Sequence, residues 1–86
     1  MPKISEFYGI SILMRFDDHS PPHFHVRYAG SEAAFDIRTL TMMNGRLSGR
    51  AQGLVVEWVF KHRRELMKAW TRAAAMKDPG TIEPLD

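Results

Sequence analysis

The hydrophobic pattern changes its period once along the chain, near residue 48, and this change constrains the fold most strongly. Before this point, apolar residues alternate with polar ones, which is typical of β-strands with one buried face. After it, apolar residues recur every three or four positions, as on one face of an α-helix. Because 86 residues allow one domain, we expect a single α+β domain over residues 1–86, in which one long helix packs on one face of an antiparallel sheet.

Three alternating stretches predict the strands of this sheet, which would occupy residues 1–47. The prolines of the Asp17–Pro22 segment and the small residues of Ala29–Ser31 indicate the connections between them. Residues 39–43 form a fourth short strand in an alternative interpretation, followed by a turn at Asn44-Gly45. The sequence therefore predicts a meander of three strands, or four in the alternative. The three predicted strands are residues 7–16, 23–28 and 32–37.

The predicted helix covers residues 48–77, with Ser48 as its N-cap. It ends before Asp78-Pro79-Gly80, and residues 78–86 form a tail. Its apolar arc is wider than one sheet face requires, so we expect a second surface to cover the additional ridge. A partner protein or a second copy of the chain is favoured as this cover, with the tail as the alternative. The predicted interface residues are Val56, Phe60, Met67 and Trp70.

Composition excludes several classes of protein. The chain has no cysteine, which excludes disulfide frameworks, thiolate zinc sites and cysteine catalysis.

Seven Lys/Arg and two Glu between Arg46 and Arg72 give this segment a charge of +5. This charge would attract an acidic protein or nucleic acid, unless it belongs to a solvated helix face. The sequence contains neither a membrane span nor an N-terminal signal peptide, so we expect a cytoplasmic protein with no membrane partner.

A cluster of metal-binding residue types follows the first predicted strand. His23 and His25 are two positions apart on a strand, so their side chains leave the same face. Together with an upstream carboxylate, two imidazoles could form a 2-His-1-carboxylate site for zinc, manganese or iron, although this spacing is not diagnostic. The sequence does not determine a cofactor, and a divalent metal, zinc or manganese, is the candidate. The candidate ligands are Asp17, Asp18, His19, His23 and His25.

A second arrangement depends on how the strands pair. If Phe16 pairs with Phe24 and Tyr28 with Ala33, the side chains of Arg15, His25 and Asp36 form one row across the open sheet face. Such a row is suited to metal-free acid–base cleavage of RNA, with the arginine stabilising phosphate charge.

A slip of two residues in the second hairpin would place His23 opposite Asp36 instead. The simplest interpretation is that these side chains stabilise an exposed sheet face by pairing.

Several motifs resemble a prokaryotic family described only as a domain of unknown function. They are Phe7-Tyr8-Gly9-Ile10, the segment from Phe16 to Tyr28, Glu57-Trp58, His62-Arg63 and Ile82-Glu83-Pro84-Leu85. The resemblance implies a small stand-alone bacterial protein, often encoded beside another small protein in a layout like that of toxin–antitoxin pairs. It implies no activity and no catalytic residues.

Two functional hypotheses follow from these observations, and they leave open whether the protein is an enzyme. The first is an interaction module of a two-gene system, which binds a partner protein through the apolar ridge and nucleic acid through its basic residues. The alternative is a metal-binding protein or metal-assisted phosphodiesterase that uses the aspartate–histidine cluster.

Overall fold

The computed structural model describes all 86 residues, which form five strands followed by one helix. The strands lie in sequential order in one antiparallel sheet, so each strand pairs with the next along the chain. The α+β class, the antiparallel meander and the long C-terminal helix are confirmed, but the number of strands is five and not three or four. The elements are β1 (Lys3–Phe7), β2 (Ile10–Leu13), β3 (His23–Tyr28), β4 (Ser31–Asp36), β5 (Met42–Gly45) and α1 (Gly49–Ala74).

The prediction of one strand over residues 7–16 was wrong, because this segment contains a turn. Tyr8 and Gly9 have φ angles of 51° and 79°, and Phe7 pairs with Ile10 on the next strand. These features define a two-residue hairpin. The apolar alternation continues on both sides of this turn, and tyrosine rarely adopts positive φ, so the pattern reads as one strand. Residues 14–16 lie in the connection to β3 and not in a strand.

The last strand also differs from the alternative prediction. It comprises Met42–Gly45, so Asn44 and Gly45 pair with Ala34 and Ala33 and do not form a turn. Gly45 has a φ of 86°, and a Cβ atom at this position would collide with the backbone of Glu32. Only glycine allows this close approach of the two strands.

Helix α1 closes one face of the sheet. Its N-cap is Ser48, as predicted, and the Ser48 Oγ accepts a hydrogen bond from the Ala51 amide at 3.2 Å. The backbone leaves helical geometry at His62 (φ −127°, ψ 22°), so the helix bends there. Helix α1 has no stretch apolar enough to cross a lipid bilayer. The largest fully buried side chains are Trp58, Phe24, Ile4, Ile10, Ile12, Met14, Ile37, Leu66, Val26, Val55 and Val59.

The C-terminal tail packs along the outer edge of the sheet. The Ile82 amide donates to the Ile4 carbonyl at 2.7 Å, and the Trp58 indole donates to the Glu83 carbonyl at 2.8 Å. Ile82 and Leu85 are buried in the core. The tail therefore covers the edge of β1, which protects that edge from pairing with another chain.

The predicted interface ridge is only partly exposed. Phe60 is 76% exposed, whereas Val56 and Met67 are half-buried. Trp70 is 8% exposed and packs inside the chain, so its assignment to the interface is corrected. The tail contacts Trp58, on another side of the helix, and leaves Phe60 uncovered.

Candidate metal centre

The connection between β2 and β3 is attached to the end of the helix. The backbone amide of Asp17 donates to the Ala73 carbonyl at 2.9 Å. This carbonyl belongs to the last helical turn and also accepts a hydrogen bond from the Met76 amide at 3.0 Å. Asp17 has a φ of 52°, which aspartate tolerates better than most residues. The attachment holds this connection beside the start of β3.

Asp18, His23 and His25 converge at this point. The two histidines share one face of β3, as the sequence predicts. The Oδ2 atom of Asp18 lies 2.9 Å from the Nε2 atom of His23 and 3.4 Å from the Nε2 atom of His25. One potential ligand atom from each of the three side chains lies within 4.8 Å of the others.

The two separations from the Asp18 carboxylate are compatible with coordination of one ion. Zinc lies about 2.0–2.2 Å from nitrogen and oxygen ligands, which places adjacent ligand atoms about 3.0–3.4 Å apart for right-angled to tetrahedral geometry. The two measured separations from Asp18 Oδ2 are 2.9 and 3.4 Å. The three side chains are nearly buried, with exposed fractions of 10–13%, so a bound ion would be largely shielded from solvent.

The backbone orients His23 for such a role. Its Nδ1 atom lies 2.8 Å from the Pro21 carbonyl oxygen. A carbonyl oxygen only accepts, so Nδ1 carries the hydrogen and donates it. Nε2 is then the ring nitrogen that faces Asp18, and it is the atom that would coordinate a metal ion. Metal-bound histidines commonly donate their second ring nitrogen to a carbonyl or carboxylate in this way.

Aromatic packing holds the His23 ring in place. Its centroid lies 5.2 Å from the Trp70 ring and 5.2 Å from the His25 ring. His23 is the first residue of β3, and at this end of the sheet the final turns of α1 lie close enough for Trp70 to contact it. Trp70 therefore supports the cluster from within the chain.

The pKa values of two of the three side chains, Asp18 and His25, are shifted toward the forms that bind metals. Burial alone would raise the pKa of Asp18, but the His19 amide, at 2.8 Å, and the two imidazoles lower it below its usual range. Burial lowers the pKa of His25, Asp18 partly opposes this effect, and His23 and Arg15 lower the pKa further. The ionised carboxylate and neutral imidazole are the forms that bind metals.

The other two candidate ligands do not join this group. The Asp17 side chain is exposed and has no hydrogen-bonding or ion-pair partner within the chain. His19 is exposed, and its side chain lines the cavity beside the cluster without meeting Asp18 at ligand distance. The structure thus brings together three of the five candidates.

The alternative row of Arg15, His25 and Asp36 is not formed. β2 ends at Leu13, which pairs with His25, and His25 pairs with Ala34 on β4. Asp36 lies opposite His23, the register that a two-residue slip predicts. Its Oδ1 atom accepts hydrogen bonds from the Arg38 and Thr39 amides at 2.7 and 3.0 Å, so this carboxylate holds the β4–β5 connection.

A cavity of about 400 Å³ adjoins the cluster. Its walls include the three converging side chains together with Arg15, His19, Glu32 and Asn44. Sequence reasoning missed the contributions of the Pro21 carbonyl, Trp70, Glu32 and Asn44 to this region. Only the alternation of apolar and polar residues in β3 could have pointed to Glu32. Glu32 pairs with Arg27, which lies on the same face of β3 as the two histidines.

Comparison with known proteins gives a family for the chain. A family model described as a domain of unknown function (DUF4160) matches residues 9–71. The chain therefore belongs to this family, and the matched region includes the strands from β2 to β5 and most of α1. No curated protein and no solved structure matches the chain.

Proposed function

We propose that this protein binds a divalent transition-metal ion through Asp18, His23 and His25. The observation that carries this proposal is the convergence of one carboxylate oxygen and two imidazole nitrogens within 4.8 Å. Zinc and manganese are the candidate ions, because both accept nitrogen and oxygen ligands. The hydrogen bond from His23 to Pro21 and the lowered pKa values of Asp18 and His25 support the proposal.

Three protein ligands leave at least one coordination position for water or a substrate. A zinc-bound water loses a proton near neutral pH and becomes a nucleophile. Metal-assisted hydrolysis, with phosphodiesters as one substrate class, is the activity that such a centre would support. We propose this activity as secondary to metal binding, and a nuclease assay becomes informative once a bound ion has been measured.

Calorimetry with Zn²⁺ and Mn²⁺ on the untagged protein tests the proposal. We expect one ion per chain with micromolar or tighter affinity. Asp18→Asn should weaken binding at least tenfold, because the amide that replaces the carboxylate has no negative charge. His25→Ala should have a similar effect, because it removes one of the three ligands.

Two neighbouring residues provide matched controls. Asp17→Asn makes the same chemical change one position away, and His19→Ala removes an exposed imidazole from the same segment. Both variants should bind the ion as the wild type does. If the wild type does not bind, or if the control variants lose as much affinity as Asp18→Asn and His25→Ala, the assignment of these ligands is wrong.

The exposed helix ridge supports a second candidate function. We propose that Phe60 and Met67 anchor an acidic partner protein, such as the product of a neighbouring gene. Phe60 is 76% exposed, and the four cations around it are exposed and form no ion pair within the chain. A second copy is a poor occupant, because two such faces would bring like charges together. The four cations are Lys61, Arg63, Arg64 and Lys68.

Coexpression with the neighbouring gene product, followed by a measurement of the complex mass and affinity, tests this surface. Phe60→Ala should weaken the complex at least tenfold, since buried aromatic anchors dominate interface energies. Phe16→Ala, which removes an exposed phenylalanine elsewhere, should leave the complex intact. Absence of a complex, self-association through Phe60, or Phe60-dependent binding of a short RNA in its place would contradict an acidic protein partner.

A further inference from the structure

We infer that the proposed metal centre takes a doubly charged phosphate group, held jointly by the metal ion and the Arg15 guanidinium. This inference rests on the proposed metal binding and adds the chemical class of its ligand. It depends on the position of Arg15, on the charge balance of the cavity and on the shape of the guanidinium group.

Arg15 shares the cavity with the three converging side chains. Its side chain is exposed, and it forms neither an ion pair nor a hydrogen bond within the protein. An arginine without a protein partner, beside a partly protein-coordinated cation, is suited to receive an anion.

The formal charges in the cavity favour a dianion. Glu32 is paired with Arg27 at 2.7 Å, so this pair contributes no net charge. The charges of Asp18 and Arg15 cancel, and the histidines contribute no charge when they coordinate the metal. A divalent ion then brings the net charge to +2, which a phosphate monoester balances in its dianionic form. A carboxylate or a phosphodiester, each with one negative charge, balances only half of it.

The geometry of the guanidinium and the volume of the cavity also favour a phosphate. A guanidinium donates two parallel hydrogen bonds to two phosphate oxygens, while a third oxygen can occupy the open coordination position of the metal. Asn44 and His19 add polar groups to the walls, and the volume of about 400 Å³ accommodates a phosphate with a small organic group.

Calorimetry on the zinc-loaded protein, with phenyl phosphate as the probe, tests this inference. We expect phenyl phosphate to bind only in the presence of zinc, and to bind at least tenfold more tightly than diphenyl phosphate or benzoate. Arg15→Ala should weaken phenyl phosphate binding at least tenfold without changing zinc affinity. Arg64→Ala, which removes one positive charge from the helix surface, should have no effect on either measurement.

The outcomes separate this inference from the proposed function. Zinc binding with no effect of Arg15→Ala on phenyl phosphate would overturn the role of Arg15 and leave the metal site intact. Equal affinity for the dianion and the two monoanions would overturn the charge argument. Absence of zinc binding would overturn both the metal centre and the inference that rests on it.

Discussion

At the residue scale, two aspartates differ in the groups that surround their carboxylates. Asp18 faces two imidazole nitrogens and has the partners of a metal ligand. Asp36 accepts hydrogen bonds from two backbone amides of the following turn, which is a common way for aspartate to stabilise a connection between strands. The same side chain therefore serves a candidate site in one place and the fold in another.

Asp36→Ala should destabilise the fold by about 1–2 kcal/mol at neutral pH, because two amides lose their acceptor. The Thr39 amide is the main cause of the lowered pKa of Asp36, and the Arg38 amide adds to it, although burial opposes both. The ionised carboxylate thus contributes stability above the ordinary aspartate pKa of about 3.9. This contribution disappears as pH falls below about 4 and through the folded-state pKa.

Urea denaturation at pH 7 and near pH 3 measures this effect. The difference in unfolding free energy between wild type and Asp36→Ala should shrink at the lower pH. Asp17→Ala provides the control, because the Asp17 side chain has no partner and its removal should change stability by less than about 0.5 kcal/mol. An Asp36→Ala effect of the same size at both pH values would show that ionisation of the carboxylate does not matter.

At the scale of elements, helix α1 connects three parts of the molecule. Its apolar face covers the sheet, Trp58 holds the C-terminal tail through the Glu83 carbonyl, and the Ala73 carbonyl holds the β2–β3 connection. The bend at His62 lies between Trp58 and Ala73, and the His62 ring pairs with Glu65 at 2.8 Å and packs on Trp58. The two halves of the helix thus support different segments.

Trp58→Phe should release the tail, because phenylalanine keeps most of the buried ring surface but donates no hydrogen bond to Glu83. We expect a loss of about 1–3 kcal/mol in unfolding free energy and faster hydrogen exchange at the Ile82 amide. The indole of Trp70 forms no hydrogen bond with the tail, so Trp70→Phe should leave exchange at Ile82 unchanged. Unchanged exchange in Trp58→Phe would mean that the contacts of Ile82 and Leu85 hold the tail without the indole.

At the scale of the whole molecule, the candidate metal centre lies where three segments meet. Asp18 comes from the β2–β3 connection, the two histidines come from β3, and Trp70 comes from the second half of the helix. A bound ion would link the connection to the strand and add to the attachment that the Asp17 amide makes to Ala73. A ligand that binds only the folded state stabilises that state. The gain in unfolding free energy increases with the logarithm of the ligand concentration when the ligand is in excess over its Kd.

The surface formed by Phe60, Met67 and the four surrounding cations lies on the helix. It shares no lining residue with the cavity beside Asp18, His23 and His25. The two candidate functions therefore use separate surfaces. We expect a substitution on one surface, such as Phe60→Ala, to leave the other surface unchanged. The two proposals can therefore be tested independently.

The period of the hydrophobic pattern determined the class of the fold and the positions of β3 and β4. It also placed both histidines on one strand face, because side-chain direction in a strand depends only on residue parity. The Ser48 cap was equally predictable, since capping depends on the residues immediately around the helix start. These features are local, and the sequence alone was sufficient for them.

Tertiary structure decided which carboxylate meets the histidines and which residues support them. Asp17, Asp18 and His19 are adjacent in the sequence, but only Asp18 converges with the histidines, in a connection that the hydrogen bond from the Asp17 amide attaches to Ala73. The Tyr8-Gly9 turn and the contact between Trp70 and His23 were also beyond the local pattern. Such features depend on backbone conformation and on contacts between distant parts of the chain, which hydrophobic periodicity does not encode.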